Sequence, residues 1–279
     1  MIACCVGLSS VYGQAQAEDA RIAARYFEAV PLEAGASFGS LMVRTGLFFI
    51  ETPYVAATLE GNAVEALVIN LRELDCTTFV ESCLALSRVV AAGQPHFEAY
   101  TAALQHIRYR DGQLNGYPSR LHYFSDWIYN NAQKGLVQDV TGDIGGVARP
   151  LQLSFMSTHP NSYAQLKAHP EWIADIQAAE QAVNARSYYY IPKAMIAASA
   201  HLIQDGDIIC FVTATSGLDI SHVGIAYHTE GMLSFIHASS TAMKVVVNPV
   251  SIADYCKNIK SNVGIMVVRL QTPALPAGQ

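Results

Sequence analysis

An α+β fold is predicted by three features of the sequence: apolar residues at helical spacing in the N-terminal third, a punctuated polar middle, and a final third of short β-branched runs. Ala20 to Val30 carry apolar positions at helical steps, and Gly35 with Gly39 interrupt the pattern before a second apolar run from Leu41 to Ile50. Pro53 and Tyr54 open a turn, and the stretch to Asn70 is mixed. From Asp75 onward Phe79, Val80, Cys83, Leu84, Ser87 and Val90 fall on one helical face, with Asp75 placed to cap the helix and Cys76 in its first turn. Residues 96–200 read as helix and loop, broken at Pro118, Pro150, Pro160, Pro170 and Pro192. The runs DIICFVT, HVGIAYH, LSFIHAS, MKVVVNP and VGIMVVRL then predict an antiparallel sheet.

With 279 residues, 51% of them hydrophobic and 14% charged, the chain can build one sizeable core, and one domain over residues 19–270 is expected with a short tail at 271–279. A formal net charge of −6 argues against a nucleic-acid partner, because phosphate contacts are made mainly by Lys and Arg. Residues 1–17 are small and apolar and end in Ala15-x-Ala17 before Glu18 and Asp19, which reads as the end of a secretory signal lacking its basic start. Ile2-Ala3-Cys4 has the form of a lipoprotein signal only if the true start lies upstream. No apolar run approaches the ~20 residues of a membrane helix, so no transmembrane segment is expected. A periplasmic or secreted location follows from this reading.

Six cysteines without a Cys-x-x-Cys pair do not form a disulfide scaffold. Cys83, Cys210 and Cys256 sit in apolar or mixed stretches and read as buried. Cys76 differs, since free amides and the dipole at a helix start favour a thiolate and lower its pKa. The same amides can serve an oxyanion. Local sequence alone leaves a buried helix cysteine as an equal alternative. Two histidines shift the balance: His222 begins one strand and His237 lies in the next, and a hairpin around Gly231 would set them side by side. One imidazole would take the thiol proton while the other fixes its ring and tautomer. The spacing of this Cys and two His matches no zinc motif, and neither a Gly-rich phosphate loop nor a Gly-x-Ser-x-Gly elbow occurs, so no metal or cofactor is expected.

Pro53-Tyr54, LDCTTFVE (74–81), GDIICF (206–211), SHVGIA (221–226) and FIHASS (235–240) occur in the order found in a known superfamily. The chain resembles the NlpC-like, papain-fold cell-wall cysteine hydrolases. That resemblance implies Cys76 as nucleophile, His222 as base and His237 as the orienting third member. It also brings Tyr54 near the reacting site, although the family's Trp-Gly-Gly is replaced here by VAATLEGN and its Ser-Gly by Thr77-Thr78. The implied fold packs N-terminal helices, with the nucleophile at a helix start, on an antiparallel sheet, enlarged by a mid-chain helical and loop insertion.

The Cys-before-His order resembles the unpermuted, peptide-bond-cleaving members. IRYRDG (107–112) and YPSRLHYFSDWI (117–128) resemble an N-acetylmuramoyl-L-alanine amidase-like branch. Peptidoglycan or a muropeptide is then the implied substrate. Cleavage between D-glutamate and the diamino acid is the alternative bond, and a silent muropeptide-binding module the alternative class. The inserted segment is where substrate choice is expected. Asp75, Tyr109, Tyr117, Arg120, His122 and Asp126 are the candidates for substrate contacts, with Arg120 suited to a stem-peptide carboxylate.

Overall fold

The computed structural model describes residues 3–273, with side chains from residue 14 onward. Helices α1 (Ala3–Ala29), α2 (Phe38–Phe48), α3 (Cys76–Ala91), α4 (Phe97–Arg108) and α5 (Phe124–Gln133) come first. Next are β1 (Val137–Asp139), β2 (Val147–Ala148), α6 (Phe155–Thr158), α7 (Ala164–Ala168), α8 (Ile173–Asn184), β3 (Tyr189–Pro192) and α9 (Ile196–Ser199). The chain then forms β4 (Ile208–Thr213), β5 (Ile220–Thr229), β6 (Met232–Ser239), β7 (Lys244–Val247), α10 (Ile252–Asn258) and β8 (Asn262–Leu270).

The eight strands make one antiparallel sheet in the order β2-β3-β8-β4-β5-β6-β7, with β1 also paired to β8. This is an α+β fold. Side-chain alternation divides its interior: along β4, Ile208, Cys210 and Val212 face the larger core cluster, while Ile209 and Phe211 face the smaller one. Helices α2 and α3 cover the first face closely. A Cβ at Gly46 of α2 would stand 3.1 Å from Ile236 and 3.2 Å from Ile225. The second face is covered by Ile196 of α9, by Ile252 and Cys256 of α10, and by Val140 and Ile144.

The expected hairpin joins β5 to β6, with Thr229 opposite Met232. Glu230 (φ 52°) and Gly231 (φ 76°) take the two left-handed positions of a tight two-residue connection. Gly39, read as an interruption, lies inside α2, where a Cβ would meet the Asp205 carbonyl oxygen at 2.2 Å. Its missing side chain lets the loop before β4 approach the helix. The middle segment also departs from a purely helical and looped insertion, because β1, β2 and β3 add to the sheet. These strands have two to four residues each, too short for a period-two pattern, and become strands by pairing with β8 or with each other.

Residues 1–2 and 274–279 lie outside the described residues, as do the side chains through residue 13, including Cys4. The leader-like start and the tail therefore fall largely outside them. Past Ala17 the backbone of α1 continues unbroken, and buried Asp19 accepts hydrogen bonds from the Leu71 amide (2.9 Å) and Arg72 Nε (3.1 Å). Among the described residues no helix is long and apolar enough to cross a membrane.

Polar contacts fasten the helices behind the sheet. The Tyr26 hydroxyl meets Thr45 Oγ1 at 2.7 Å, and Thr45 meets Ser87 at 2.8 Å, tying α1, α2 and α3. Deeper still, Glu81 of α3 accepts from Arg108 Nε (2.7 Å) and Trp127 Nε1 (3.2 Å), while Arg108 Nη1 donates to the Val68 carbonyl (2.6 Å). Glu81 and Arg108 are 2% and 3% exposed. Removing one member of such a pair strands the other charge in a poor solvent. Arg108→Met should therefore cost about 3–5 kcal/mol in urea denaturation; a loss below about 1 kcal/mol, typical of surface pairs, would contradict this role.

Candidate active site

Cys76 is the first residue of α3, and a capping box builds that start. Asp75 Oδ1 accepts from the Thr78 amide (2.8 Å), and Thr78 Oγ1 accepts from the Asp75 amide (2.9 Å). The Val223 backbone and Thr77 lie close enough to the sulfur to favour its charged form. Cys83, Cys210 and Cys256 are fully buried.

His222 enters β5 opposite Phe211, and a bulge follows, so that Val212 pairs with Ile220 and Ser221 is left out of the ladder. His237 lies on β6 opposite Val246. His222 Nε2 and His237 Nδ1 are 2.7 Å apart. Gly224 permits this approach, since a Cβ there would lie 2.6 Å from the Phe235 ring and 3.2 Å from the His237 Cβ.

Two residues that the sequence reading missed complete the group. Asn248, just past β7, lies beside His237, where it favours the protonated ring, and donates through Nδ2 to the Val250 carbonyl at 2.7 Å. Because Asn248 favours a proton on His237, the tautomer assigned to His237 carries it on Nε2, which leaves Nδ1 to accept from His222 Nε2–H. The bare nitrogen of His222 is consequently Nδ1. Tyr255 of α10 packs its ring against both imidazoles, with centroids 6.0 Å from His222 and 5.8 Å from His237, and its phenol is raised to about 12 by burial and by the nearby Cys76. Neither residue belongs to a readable motif: Asn248 looks like a strand end before Pro249, and Tyr255 is one aromatic on a short helix.

The electrostatics differ from the expected thiolate. Burial, followed by the Asp75 carboxylate, pushes Cys76 up to about 11. Burial lowers His222 to about 4, and burial together with His222 lowers His237 to about 3 despite the Asn248 hydrogen bond. Thiol and imidazoles are thus all neutral at pH 7. No hydrogen bond joins Cys76 to His222 among the described residues, but both line one cleft of about 280 Å³.

Tyr117, Arg120 and His122 line this cleft as well, as does Asp75, whose carboxylate is occupied as the helix cap. Tyr54 stands near Cys76 and Asp75, which add to burial in raising its phenol. Tyr109 and Asp126 do not line the cleft. The Tyr109 hydroxyl donates to Glu65 (2.7 Å) in the interior, and Asp126 holds Arg110 (2.6 Å) and Arg186 (2.9 Å). Arg120 is not the free cation expected for a carboxylate: it pairs with Glu60 at 2.7 Å and faces Glu65 at 3.5 Å. His122 donates through Nε2 to the Tyr117 carbonyl (2.9 Å), and burial lowers it to about 3. Among the described residues no group of three or more His, Cys, Asp and Glu side chains could hold a metal ion.

Because the thiolate is the nucleophilic form, alkylation of Cys76 by iodoacetamide should rise about tenfold per pH unit between pH 7 and 10. A rate constant already level at pH 5 to 7 would reveal a thiolate–imidazolium pair and contradict the neutral resting state.

Residues 44–265 match the AmiA-like family, described as N-acetylmuramoyl-L-alanine amidase-like. An N-acetylmuramoyl-L-alanine amidase from Bacteroides uniformis is 42% identical with a TM-score of 0.81, over 84% of this chain and 99% of that one. A Bacteroides fragilis structure carrying a provisional xylanase label is 44% identical with a TM-score of 0.78, over 81% of this chain and all of that one. Protein LPG0564 from Legionella pneumophila shares the fold at 21% identity and a TM-score of 0.69, over 96% of this chain and 98% of that one. A comparison with curated proteins gives no match. The family match spans most of the chain, including Cys76, His222 and His237, and the chain belongs to the AmiA-like, N-acetylmuramoyl-L-alanine amidase-like family.

Proposed function

We propose that this chain is a cysteine hydrolase of papain-like, NlpC-type fold that cuts the amide between N-acetylmuramic acid and the L-alanine of the peptidoglycan stem. The observation that carries the reading is the 2.7 Å contact of His222 with His237 beside a helix-start cysteine in a shared cleft. Family membership supports the amidase chemistry and the cell-wall substrate. The catalytic domain is residues 19–270, and its working compartment is the periplasm or the exterior, where peptidoglycan lies.

Attack begins from the neutral state. As Cys76 sulfur bonds to the lactyl carbonyl carbon, His222 Nδ1 takes the thiol proton, so no free thiolate accumulates. The developing oxyanion faces the Cys76 and Thr77 amides at the start of α3, the Thr78 amide being taken by Asp75. His237 accepts from His222 Nε2–H and stabilises the imidazolium, with Asn248 holding His237 in the required tautomer. The imidazolium then protonates the departing L-alanine nitrogen as the C–N bond breaks, leaving a thioester. Water adds to that thioester as His222 removes its proton, and collapse of the adduct breaks the C–S bond and frees the N-acetylmuramoyl carboxyl group while the imidazolium returns the proton to the Cys76 sulfur.

The cleft acids support a thiol mechanism over glycoside cleavage, which needs an available acid and base. Asp75 caps α3, Glu81 pairs with Arg108, Glu60 pairs with Arg120, and Asp219 accepts the Ser125 (2.7 Å) and Ile220 (2.8 Å) amides.

Digestion of purified peptidoglycan and defined muropeptides, with products weighed by mass spectrometry, tests the reading. The wild type should release peptides beginning with L-alanine, and Cys76→Ala should release none while keeping its melting temperature. Fragments ending in D-glutamate would replace the amidase by an endopeptidase. Absence of cleavage would leave a muropeptide-binding module. Asn248→Ala should lower kcat about 10–100-fold with KM nearly unchanged, as expected for loss of a hydrogen bond that supports a charge formed during reaction. A rise in KM alone would place Asn248 in substrate binding instead.

A further inference from the structure

Three aromatic rings meet beside the imidazole pair. Phe211 of β4 and Phe235 of β6, both fully buried, have ring centroids 5.2 Å apart, and Tyr255 of α10 lies 4.7 Å from the first and 4.9 Å from the second. His222 is 6.2 Å from Phe211, 6.4 Å from Phe235 and 6.0 Å from Tyr255. His237 is 4.5 Å from Phe235 and 5.8 Å from Tyr255. The three rings are tilted or edge-on to one another, so they interlock around the imidazoles.

Two sides of this box come from the sheet itself. Phe211 stands opposite His222 in the β4–β5 register, and Phe235 precedes His237 on the same face of β6. Tyr255 is the side that the sheet cannot supply. It is carried by α10, which Ile252 and Cys256 anchor in the smaller core, and it is only partly buried. It does not line the cleft that holds Cys76 and His222. A substrate seated in that cleft therefore does not touch it.

What surrounds His222 is mostly neutral. Cys76 and Asp75 share its cleft from α3, His237 faces it from β6, Tyr255 from α10, and β4 presents the Phe211 ring. Asp219, which precedes β5, is engaged by the Ser125 and Ile220 amides, and Asp254 and Lys257 of α10 are exposed. Burial alone lowers His222 to about 4. The rings are what provide that burial on the α10 side.

We propose that Tyr255 is a positioning residue for His222: its ring closes the open side of the Phe211–Phe235 pair, excludes water from the imidazoles and holds the His222 ring where it receives the Cys76 proton. This deepens the cysteine-hydrolase reading and rests on it for the role of His222. Water admitted at this side would solvate the imidazolium and favour it. His222 would then be charged in weakly acidic solution and unable to act as a base.

The dependence of kcat/KM on pH reads the base in the free enzyme. Tyr255→Ala should move the acid limb upward by about one pH unit or more, toward the ordinary histidine range. It should also lower kcat about 10–100-fold through loss of orientation, with KM nearly unchanged. Tyr255→Phe should rescue both, because the ring acts and not the hydroxyl. Should Tyr255→Ala unfold, Tyr255→Leu retains apolar volume on α10 and should move the limb in the same direction by less. NMR titration of the two imidazoles, assigned by their absence from His222→Ala and His237→Ala, should show the same upward movement as apparent values of the pair. An unmoved limb and unmoved imidazoles in the folded variant would overturn the proposal. So would a Tyr255→Phe protein as impaired as Tyr255→Ala, which gives the role to the hydroxyl, or a rise in KM alone, which puts Tyr255 against substrate. The NMR titration needs no substrate. Absence of wild-type cleavage would thus remove the amidase reading, whereas unmoved imidazoles would remove the role of Tyr255.

Discussion

The buried ion pair of Glu81 with Arg108 is the constraint on which the arrangement of the cleft depends. Two charges almost without solvent contact are tolerated only if every strong donor and acceptor is met, and here Trp127 and the Val68 carbonyl meet them. Satisfying the pair requires α3, α4, α5 and the loop before α3 to converge on one point. Glu81 lies five residues along α3 from Cys76, so the same convergence sets the depth and rotation of the helix that carries the sulfur. Apolar packing against Ile225 and Ile236 presses α2 and α3 onto the sheet, and the charge pair adds direction to that non-directional force.

Burial that organises the helices also governs the chemistry. The low-dielectric surroundings that raise Cys76 and lower both histidines disfavour every charged form in the resting cleft. A helix start favours a thiolate, but desolvation and the capping carboxylate of Asp75 outweigh it. Asp75 therefore has two opposed effects: it completes the capping box that places Cys76, and it discourages ionisation of the same residue. Under the proposed mechanism, a neutral thiol and a neutral imidazole in one cleft exchange the proton as the sulfur attacks, with charge appearing only as the bond forms. In that proposal His237, in contact with His222 and favoured in its protonated form by Asn248, stabilises the charge.

Distribution of polar groups separates the two parts of the cleft. Near Cys76, His222 Nε2 meets His237 Nδ1 and Asn248 Nδ2 meets the Val250 carbonyl, while His222 Nδ1 has no partner among the described residues. Around Tyr117 and Glu60, partners are missing although the side chains are packed in place.

Much of this was legible in the sequence. Helical spacing from Phe79 to Val90 and the β-branched runs after residue 206 identified the elements, since both patterns are local consequences of burying one face. Cys76 at a helix start and the two histidines on adjoining strands were readable for the same reason. The short strands β1 to β3 were not, because they pair only once β8 exists. Arg120 looked free in sequence, and only the fold brings Glu60 from sixty residues away to occupy it. Asn248 and Tyr255 join the histidines through the turn after β7 and the placement of α10. Local pattern alone specified the early helices and the strands after residue 206, and marked which residues are chemically capable. Tertiary structure decided which of those residues share a cleft and in what charge state, because partners distant along the chain and the extent of desolvation arise only when the layers pack.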